Sequence, residues 1–407
     1  MRVLHINQSD IVGGAAIAAY RLHQGLLQAG VDSKLLVGQV TCSDPLINST
    51  PRTPFRKKLK SLADAIGLNY ITELSTLLVV RHPFYKEADV LNFHNLHGGY
   101  FNYLFVPKLT RHKPAVYTLH DMWSFTGHCS YSFDCYRWQT GCGKCPYPDV
   151  YPSIKRDNTA LEWKLKKWVY QHSKLIIVTP SRWLMEQLKF SILNHLEIYH
   201  VPYGVNLETY RPIDKSFCRY FLGVDDRKYV LLTSAMDFSD RRKGGDLLVK
   251  ALNLLPDSIR KVTVLLTLGG GSHRFFKEVD MAVLPLGYIQ SDHVKAGIFG
   301  AADLFVLPTR ADNLPLVLQE AMACGVPLVS FAVGGVPELV RPGVTGALAQ
   351  PEDYRDLAYQ IERLLTDETY RLTLAHNCRT IALQEYDLTL QVQRYRQLYQ
   401  EVQATFT

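Results

Sequence analysis

The stretch T-R-A-D-N-L-P-L-V-L-Q-E-A-M-A-C-G-V-P-L-V-S, residues 309–330, decides the fold. It follows an apolar strand expected over 304–307 and reads as a polar turn, a short amphipathic helix stopped by Gly325, and a second strand. Pro315 falls where a first helical residue belongs, since its missing N–H would find no intrahelical partner there. Strand, loop, helix, strand is the unit of an open parallel sheet. In such a sheet the strand's carboxyl end and the unpartnered N–H groups of the helix face one crevice, which draws an anionic ligand. Two acids, Asp312 and Glu320, bracket the turn. A wholly helical path would hold them about 12 Å apart at ~1.5 Å per residue, so one carboxylate could hold each end of a nucleotide sugar. The plainer reading leaves Glu320 facing solvent on an amphipathic helix and Asp312 opening a turn.

These residues resemble the E-x7-E signature of the retaining family 4 glycosyltransferases, with Glu320 as the second acid and Asp312, one methylene shorter, as the first. The resemblance implies that Glu320 takes the ribose hydroxyls and Asp312 meets the transferred sugar. It extends over nearly the whole chain, which is similar to exopolysaccharide and colanic-acid-type enzymes. Its implied fold class is α/β, a GT-B architecture of two Rossmann-like domains whose parallel sheets face a central cleft. The expected parts are an acceptor domain over 1–205 with a Cys-rich insertion at 127–146, a donor domain over 206–385, and a last helix over 386–407 packing back on the first domain.

Composition fits that reading. The chain has 407 residues, 47% hydrophobic and 20% charged, as in soluble globular domains. It opens on a strand over 2–7 rather than a signal peptide, and no apolar run reaches the length of a membrane span, so a cytoplasmic protein is expected. The net charge of +7 is unevenly shared, +9 over 1–205 and −2 over the remainder. A basic first half suits something anionic, such as a membrane surface or a lipid-phosphate acceptor, and solubility would explain it too. Between Arg52 and Lys60 the basic residues interleave with Phe55, Leu59, Leu62 and Ile66 at helical spacing. That pattern suits a helix in peripheral contact with an anionic membrane at its inner face, or an ordinary solvated helix. Nucleic acid is not an expected partner.

Gly13 and Gly14 follow the first strand and open a helix, so a bound group can approach the backbone closely. The loop lacks G-x-G-x-x-G, and with it the dinucleotide fingerprint. The resemblance sets this loop against the donor diphosphate or the acceptor. His94 and His97 follow the strand D-V-L-N-F; no third metal ligand lies nearby in sequence, and lining of an acceptor cleft is expected of them. His120 and Asp121 end the strand A-V-Y-T-L, where a loop histidine can hydrogen-bond a sugar hydroxyl. The resemblance sets His120 against the donor sugar, with Asp121 orienting it or meeting the acceptor. Cys129, Cys135, Cys142 and Cys145 fall close together and end in C-G-K-C. A C-x2-C knuckle supplies two soft ligands at once, so the readings are a structural zinc, one or two disulfides, or free thiols, with a cytoplasmic site arguing against disulfides.

The segment V-P-Y-G-V-N resembles the family's interdomain V-P-N-G-V-D, with Tyr203 in place of asparagine. Past it, Lys243 and Gly244 open a helix, so an ammonium and helix amides converge where a leaving diphosphate would sit. The family pairs that lysine with an arginine five residues earlier; Phe238 stands there, and Arg242 or Arg241 is the substitute. L-P-L-G-Y-I resembles the base-reading turn, with Gly287, Tyr288 and Ile289 offering backbone atoms. The helix start at Asn313, Leu314, Pro315 and Leu316 joins Lys243 at the diphosphate. The implied activity is retaining transfer, of hexosyltransferase type, from a nucleotide-diphosphate sugar to a glycan or lipid-linked acceptor in exopolysaccharide or cell-surface glycan synthesis. The leaving phosphate takes the acceptor's proton, no catalytic cofactor is implied, and no D-x-D motif appears. A nucleotide-sugar 2-epimerase on the same fold and a non-catalytic sugar- or membrane-binding module are the alternatives.

Overall fold

The computed structural model describes residues 1–52, 67–68 and 70–406. The expected basic helix, with Phe55, Leu59, Leu62 and Ile66, lies outside the described residues. Two compact units emerge, Met1–Gly204 with Thr389–Thr407, and Val205–Leu388. Among the described residues no helix is long and apolar enough to cross a membrane.

The first unit is built on a parallel sheet of β1 (Arg2–Ser9), β2 (Asp32–Gln39), β3 (Ile47–Ser49), β4 (Val90–Phe93), β5 (Ala115–Thr118), β6 (Ile176–Thr179) and β7 (Ile198–His200). Their order is β3-β2-β1-β4-β5-β6-β7. The central strands read as apolar runs because both faces are covered, and Leu4, Ile6, Leu91, Phe93 and Ile177 are all fully buried. His5, Asn7 and Asn92 are the polar interruptions, equally buried. Strand order reverses between β1 and β4, so the loops leaving those strands open onto one crevice.

The last helix, Leu388–Thr405, buries Val392, Tyr395, Tyr399 and Val402, an i, i+3, i+7, i+10 stripe. From Thr389 onward it belongs to the first unit. Asn92 Nδ2 donates to the Tyr399 hydroxyl at 2.7 Å, and Thr118 Oγ1 bonds both Asn92 Oδ1 at 3.0 Å and the Tyr395 hydroxyl at 2.9 Å. All five groups are buried, so loss of one orphans another.

The second unit holds β8 (Tyr229–Asp237), β9 (Thr263–Gly270), β10 (Ala282–Gly287), β11 (Leu304–Leu307), β12 (Leu328–Phe331) and β13 (Gly346–Ala349), ordered β10-β9-β8-β11-β12-β13 and parallel throughout. Its reversal falls between β8 and β11. The L-P-L-G of the expected base-reading turn is itself the edge strand β10, where Pro285 needs no ladder partner and the register slips before Gly287. The helix of the deciding stretch spans Leu316–Ala323, with Pro315 as its extended cap (φ −64°, ψ 118°) rather than its first residue. It is not amphipathic: every residue but Val317 is buried, because the helix Glu368–Glu385 packs on it from outside while β11 and β12 lie within. Gly325 ends it at φ 72°. Since the helix starts only at Leu316, the wholly helical span between Asp312 and Glu320 does not apply.

Candidate active site

The turn after β8 and the loop after β11 meet at the reversal point of the second sheet. Arg241–Lys243 form one tight helical turn, capped by Asp240, whose carboxylate accepts the Arg242 N–H at 2.9 Å. Gly244 follows at φ 68°, and a Cβ there would stand 1.8 Å from the Pro308 carbonyl oxygen, so only glycine lets the two segments touch. Gly334, after β12, is equally constrained: its Cβ would lie 2.0 Å from the Asp312 carbonyl oxygen. Three strand-end loops thus converge on Asp312.

Lys243 Nζ reaches Asp312 Oδ2 at 2.7 Å, and Arg242 Nη1 reaches the same oxygen at 3.3 Å while donating to the Ala311 carbonyl at 2.9 Å. Asp312 Oδ1 accepts the Asn313 N–H at 3.1 Å. Two cations share the Asp312 carboxylate, and Arg242 Nη2 also lies 3.5 Å from Asp240 Oδ2. Burial lowers the Lys243 pKa and neighbouring Arg242 lowers it further, against Asp312. Burial would raise Asp312, but Lys243 and Arg242 hold its carboxyl below the usual range. The fold therefore brings Arg242 to Lys243. Phe238 is buried against the Phe276 ring, 4.9 Å between centroids, and Arg241 offers its carbonyl to Arg310 Nη1 at 2.7 Å.

Glu320 is buried at 3% exposure, which rules out the solvent-facing reading. Asn313, Leu314 and Leu316 are buried as well, and Leu316 starts the helix. Gly287 closes β10 at φ 69°, followed by exposed Tyr288 and half-buried Ile289. Sequence reasoning missed Arg310, which clamps the site from behind through a two-pronged pair with Asp246 (2.7 Å each) and a bond to Glu352 at 2.8 Å. Its signal was available, a lone arginine two residues before Asp312 at a strand end.

In the first unit, Gly13 caps the helix Gly14–Gln28 at φ 95°. A Cβ added at Gly13 or Gly14 would meet nothing within 4 Å. The loop is held by Asp10, also missed from sequence, whose carboxylate accepts the N–H groups of Ile11 (2.7 Å), Thr41 (2.5 Å) and Cys42 (2.9 Å) and the Thr41 hydroxyl (2.8 Å). Burial opposes its charge, yet these bonds bring its pKa down to about 2.

His94 and His97 are interior groups, 1% and 2% exposed. His97 Nε2 lies 3.1 Å from Asp121 Oδ2 and its Nδ1 3.3 Å from the Tyr151 hydroxyl. His94 bonds His5 on one side and His120 on the other. His120 has both nitrogens engaged, Nε2 by His94 and Nδ1 by Tyr203, so a direct bond to a sugar hydroxyl would have to displace one of them. Asp121 accepts the Trp123 N–H at 2.8 Å and faces His97; burial works against its charge, and His97 with that N–H keeps it ionised.

A structural zinc at the four cysteines finds no support. All the cysteines are free thiols, and among the described residues no group of three or more His, Cys, Asp or Glu side chains could hold a metal ion. The four thiols lie close enough to interact electrostatically; Cys142 Sγ accepts the Gly127 N–H at 3.2 Å, and Cys145 Sγ sits 3.1 Å from His128 Nε2. Burial pushes Cys129 up to about 12 and Cys142 to about 11.

Comparison with known proteins follows the division into units. Residues 12–209 match the family model described as Glycosyltransferase Family 4, and residues 227–367 the one described as Glycosyl transferases group 1. The putative colanic acid biosynthesis glycosyl transferase WcaC of Escherichia coli (strain K12) is 27% identical over 84% of this chain and 85% of its own. A D-inositol 3-phosphate glycosyltransferase of Mycobacterium sp. (strain KMS) is 37% identical, over 40% of this chain and 38% of that protein. Among solved structures, sucrose-phosphate synthase from Thermosynechococcus elongatus aligns with a TM-score of 0.72 at 20% identity, covering 99% of this chain and 100% of its own. Anabaena HepE in complex with UDP and glucose aligns at 0.71 and 20% identity, covering 98% and 99%. Both share the pair of parallel sheets, and at such identities they speak for the fold alone. With family 4 and group 1 each matched by one of its two units, this chain belongs to the glycosyltransferases of the GT-B fold.

Proposed function

We propose that the enzyme transfers a sugar, with retention of anomeric configuration, from a nucleotide-diphosphate donor to a glycan or lipid-linked acceptor in the making of an exopolysaccharide. The observation that carries this reading is Lys243 and Arg242 converging on Asp312 at the reversal point of the second sheet. Glycosyl transfer needs positive charge where the diphosphate departs and a fixed orientation of the sugar. Lys243, Arg242 and the first N–H groups of the helix Leu316–Ala323 meet the diphosphate, Asp312 the sugar, and Glu320 the ribose. The backbone at Gly287, Tyr288 and Ile289 reads the base, while Gly13 and Gly14 leave room for a bound group to approach. The departing phosphate takes the acceptor's proton.

The donor class finds support in HepE, whose structures hold UDP, UDP with glucose, and UDP-glucose. The pathway class finds support in the likeness to a protein named for colanic acid biosynthesis. The +9 charge over 1–205 suits a cytoplasmic enzyme working at an anionic membrane face on a lipid-phosphate acceptor.

Thermal shift with a panel of nucleoside diphosphates tests the donor site. UDP should stabilise the protein, and Glu320→Ala should weaken it by more than about tenfold, the effect of ~1.4 kcal/mol. No stabilisation by any nucleoside diphosphate would end the reading. Turnover of a nucleotide sugar without acceptor, yielding its 2-epimer, would move the enzyme to the epimerase class.

A further inference from the structure

The first unit buries a row of rings that the transfer reaction does not account for. His5 lies within β1, His94 directly follows β4, and His120 comes two residues after β5. These strands are adjacent and parallel, with His5 in register with Asn92 and Phe93 with Tyr117, so the three imidazoles stand side by side. Successive rings stack at 5.3 and 5.2 Å between centroids, and the Tyr203 ring stacks on His120 at 5.6 Å and 17°. Their polar atoms form one chain: His5 Nδ1 to His94 Nε2 at 3.0 Å, His94 Nδ1 to His120 Nε2 at 2.9 Å, and His120 Nδ1 to the Tyr203 hydroxyl at 2.6 Å.

A neutral imidazole carries one N–H, so every proton in the row must point the same way. The far end decides which. His5 Nε2 is buried and has no hydrogen-bond partner among the described residues. If the protons pointed toward His5, that nitrogen would carry an orphaned N–H; if they point away, it keeps only a bare lone pair. Buried donors without partners are the rarer and costlier defect. We propose that His5 and His94 are positioning residues, which polarise the row from His5 through His94 and His120 to Tyr203, lock His120 as its Nδ1–H tautomer, and make the Tyr203 oxygen an acceptor. Burial, which brings His5 to about 3 and His120 to about 4 and His94 well below its ordinary value, keeps the row neutral. The charged and titratable neighbours are Asp121 and His97 beside His120, and His23 beside His5.

The tautomer claim stands on the row alone; its effect on turnover rests on the proposed glycosyl transfer and on His120 lying near the sugar. Long-range proton–nitrogen NMR on the full chain labelled with 15N-histidine, assigned through single variants, reads the tautomers. His5, His94 and His120 should all show the Nδ1–H pattern, unchanged from pH 6 to 8. Nε2–H patterns or an imidazolium at any of the three would overturn the proposal. In His94→Leu, His120 should become a tautomer mixture and kcat should fall about tenfold, with the donor KM within about twofold. His94→Gln, whose amide can donate on one side and accept on the other, should restore most of the loss. A His120 signal in His94→Leu identical to the unmutated protein's would overturn the positioning role, whatever happens to turnover. Expected tautomers with unaltered kcat would support the row and instead refute the placement of His120 near the sugar. Should His94→Leu fail to fold, the spectrum of the unmutated chain decides by itself.

Discussion

Asp312→Asn should make the enzyme bind free UDP more tightly while transferring sugar more slowly. Asp312 occupies the two cations proposed to meet the diphosphate, Lys243 at 2.7 Å and Arg242 at 3.3 Å. A diphosphate arriving there must share those cations with a carboxylate and face its charge. Two like unit charges about 6 Å apart at an effective dielectric near 20 to 40 repel by about 1.4 to 2.8 kcal/mol. Asparagine keeps the shape and the Asn313 N–H contact but removes that repulsion, and the lower figure corresponds to about tenfold tighter binding. Titration calorimetry with UDP measures this, and the gain should shrink as salt is raised. Turnover should move the other way, by about a hundredfold, since the sugar loses its anionic partner in the transition state. Lys243→Met is the control and should weaken UDP. If Asp312→Asn binds UDP no more tightly than the unmutated enzyme, the triad is a structural ion pair and the diphosphate lies elsewhere.

Two further outcomes follow from the first unit. Asp10, its pKa brought to about 2 against 3.8 for a free side chain, stabilises the fold by about 2 kcal/mol above the unfolded value, and that contribution is lost as pH falls from near 4 toward 2. Asp10→Asn should therefore lower the urea midpoint at pH 7 and make it less sensitive to acid; equal acid sensitivity in the two proteins would refute the assignment. Gly14→Ala should leave the melting temperature unchanged or slightly raised, because the new Cβ meets open space and helical alanine costs less entropy. Donor or acceptor KM should nevertheless rise, and wild-type kinetics would show that no ligand approaches that glycine.

The alternation of strand and helix was legible because buried parallel strands announce themselves as apolar runs, and β11 appears where its four apolar residues predicted it. β3 and β7 are three residues each, too short for any period to show. The helix Leu316–Ala323 reads as amphipathic because Gln319 and Glu320 look like a polar face, while only the packing of β11, β12 and the helix Glu368–Glu385 around it shows that it is buried. Asp312 and Lys243 lie 69 positions apart in sequence and were each identifiable by their strand-end placement. His94 and His97 shared that placement, yet their partners come from β1 and from the β5 loop, and no local pattern encodes such contacts.

The two departures from the family pattern take different physical forms. At position 238 a phenylalanine replaces the arginine, and the structure uses it as core, 3% exposed between the Phe275 and Phe276 rings. The positive charge is then supplied four residues later, where the turn Arg241–Lys243 and the positive φ of Gly244 swing Arg242 onto the Asp312 oxygen that Lys243 also holds. At position 203 a tyrosine replaces the asparagine, and its hydroxyl closes the histidine row at 2.6 Å from His120. At 238 a group of matching charge arrives from a neighbouring backbone path, while at 203 the replacing side chain itself brings the polar group. Arg242→Leu should consequently cost UDP affinity about as much as Lys243→Met, about 1.5 to 3 kcal/mol for a charged hydrogen-bonding partner. Arg241→Leu, whose guanidinium is not what the site uses, should leave affinity within about twofold. The reverse ranking of the two arginines would mean that the turn after β8 re-forms around the donor.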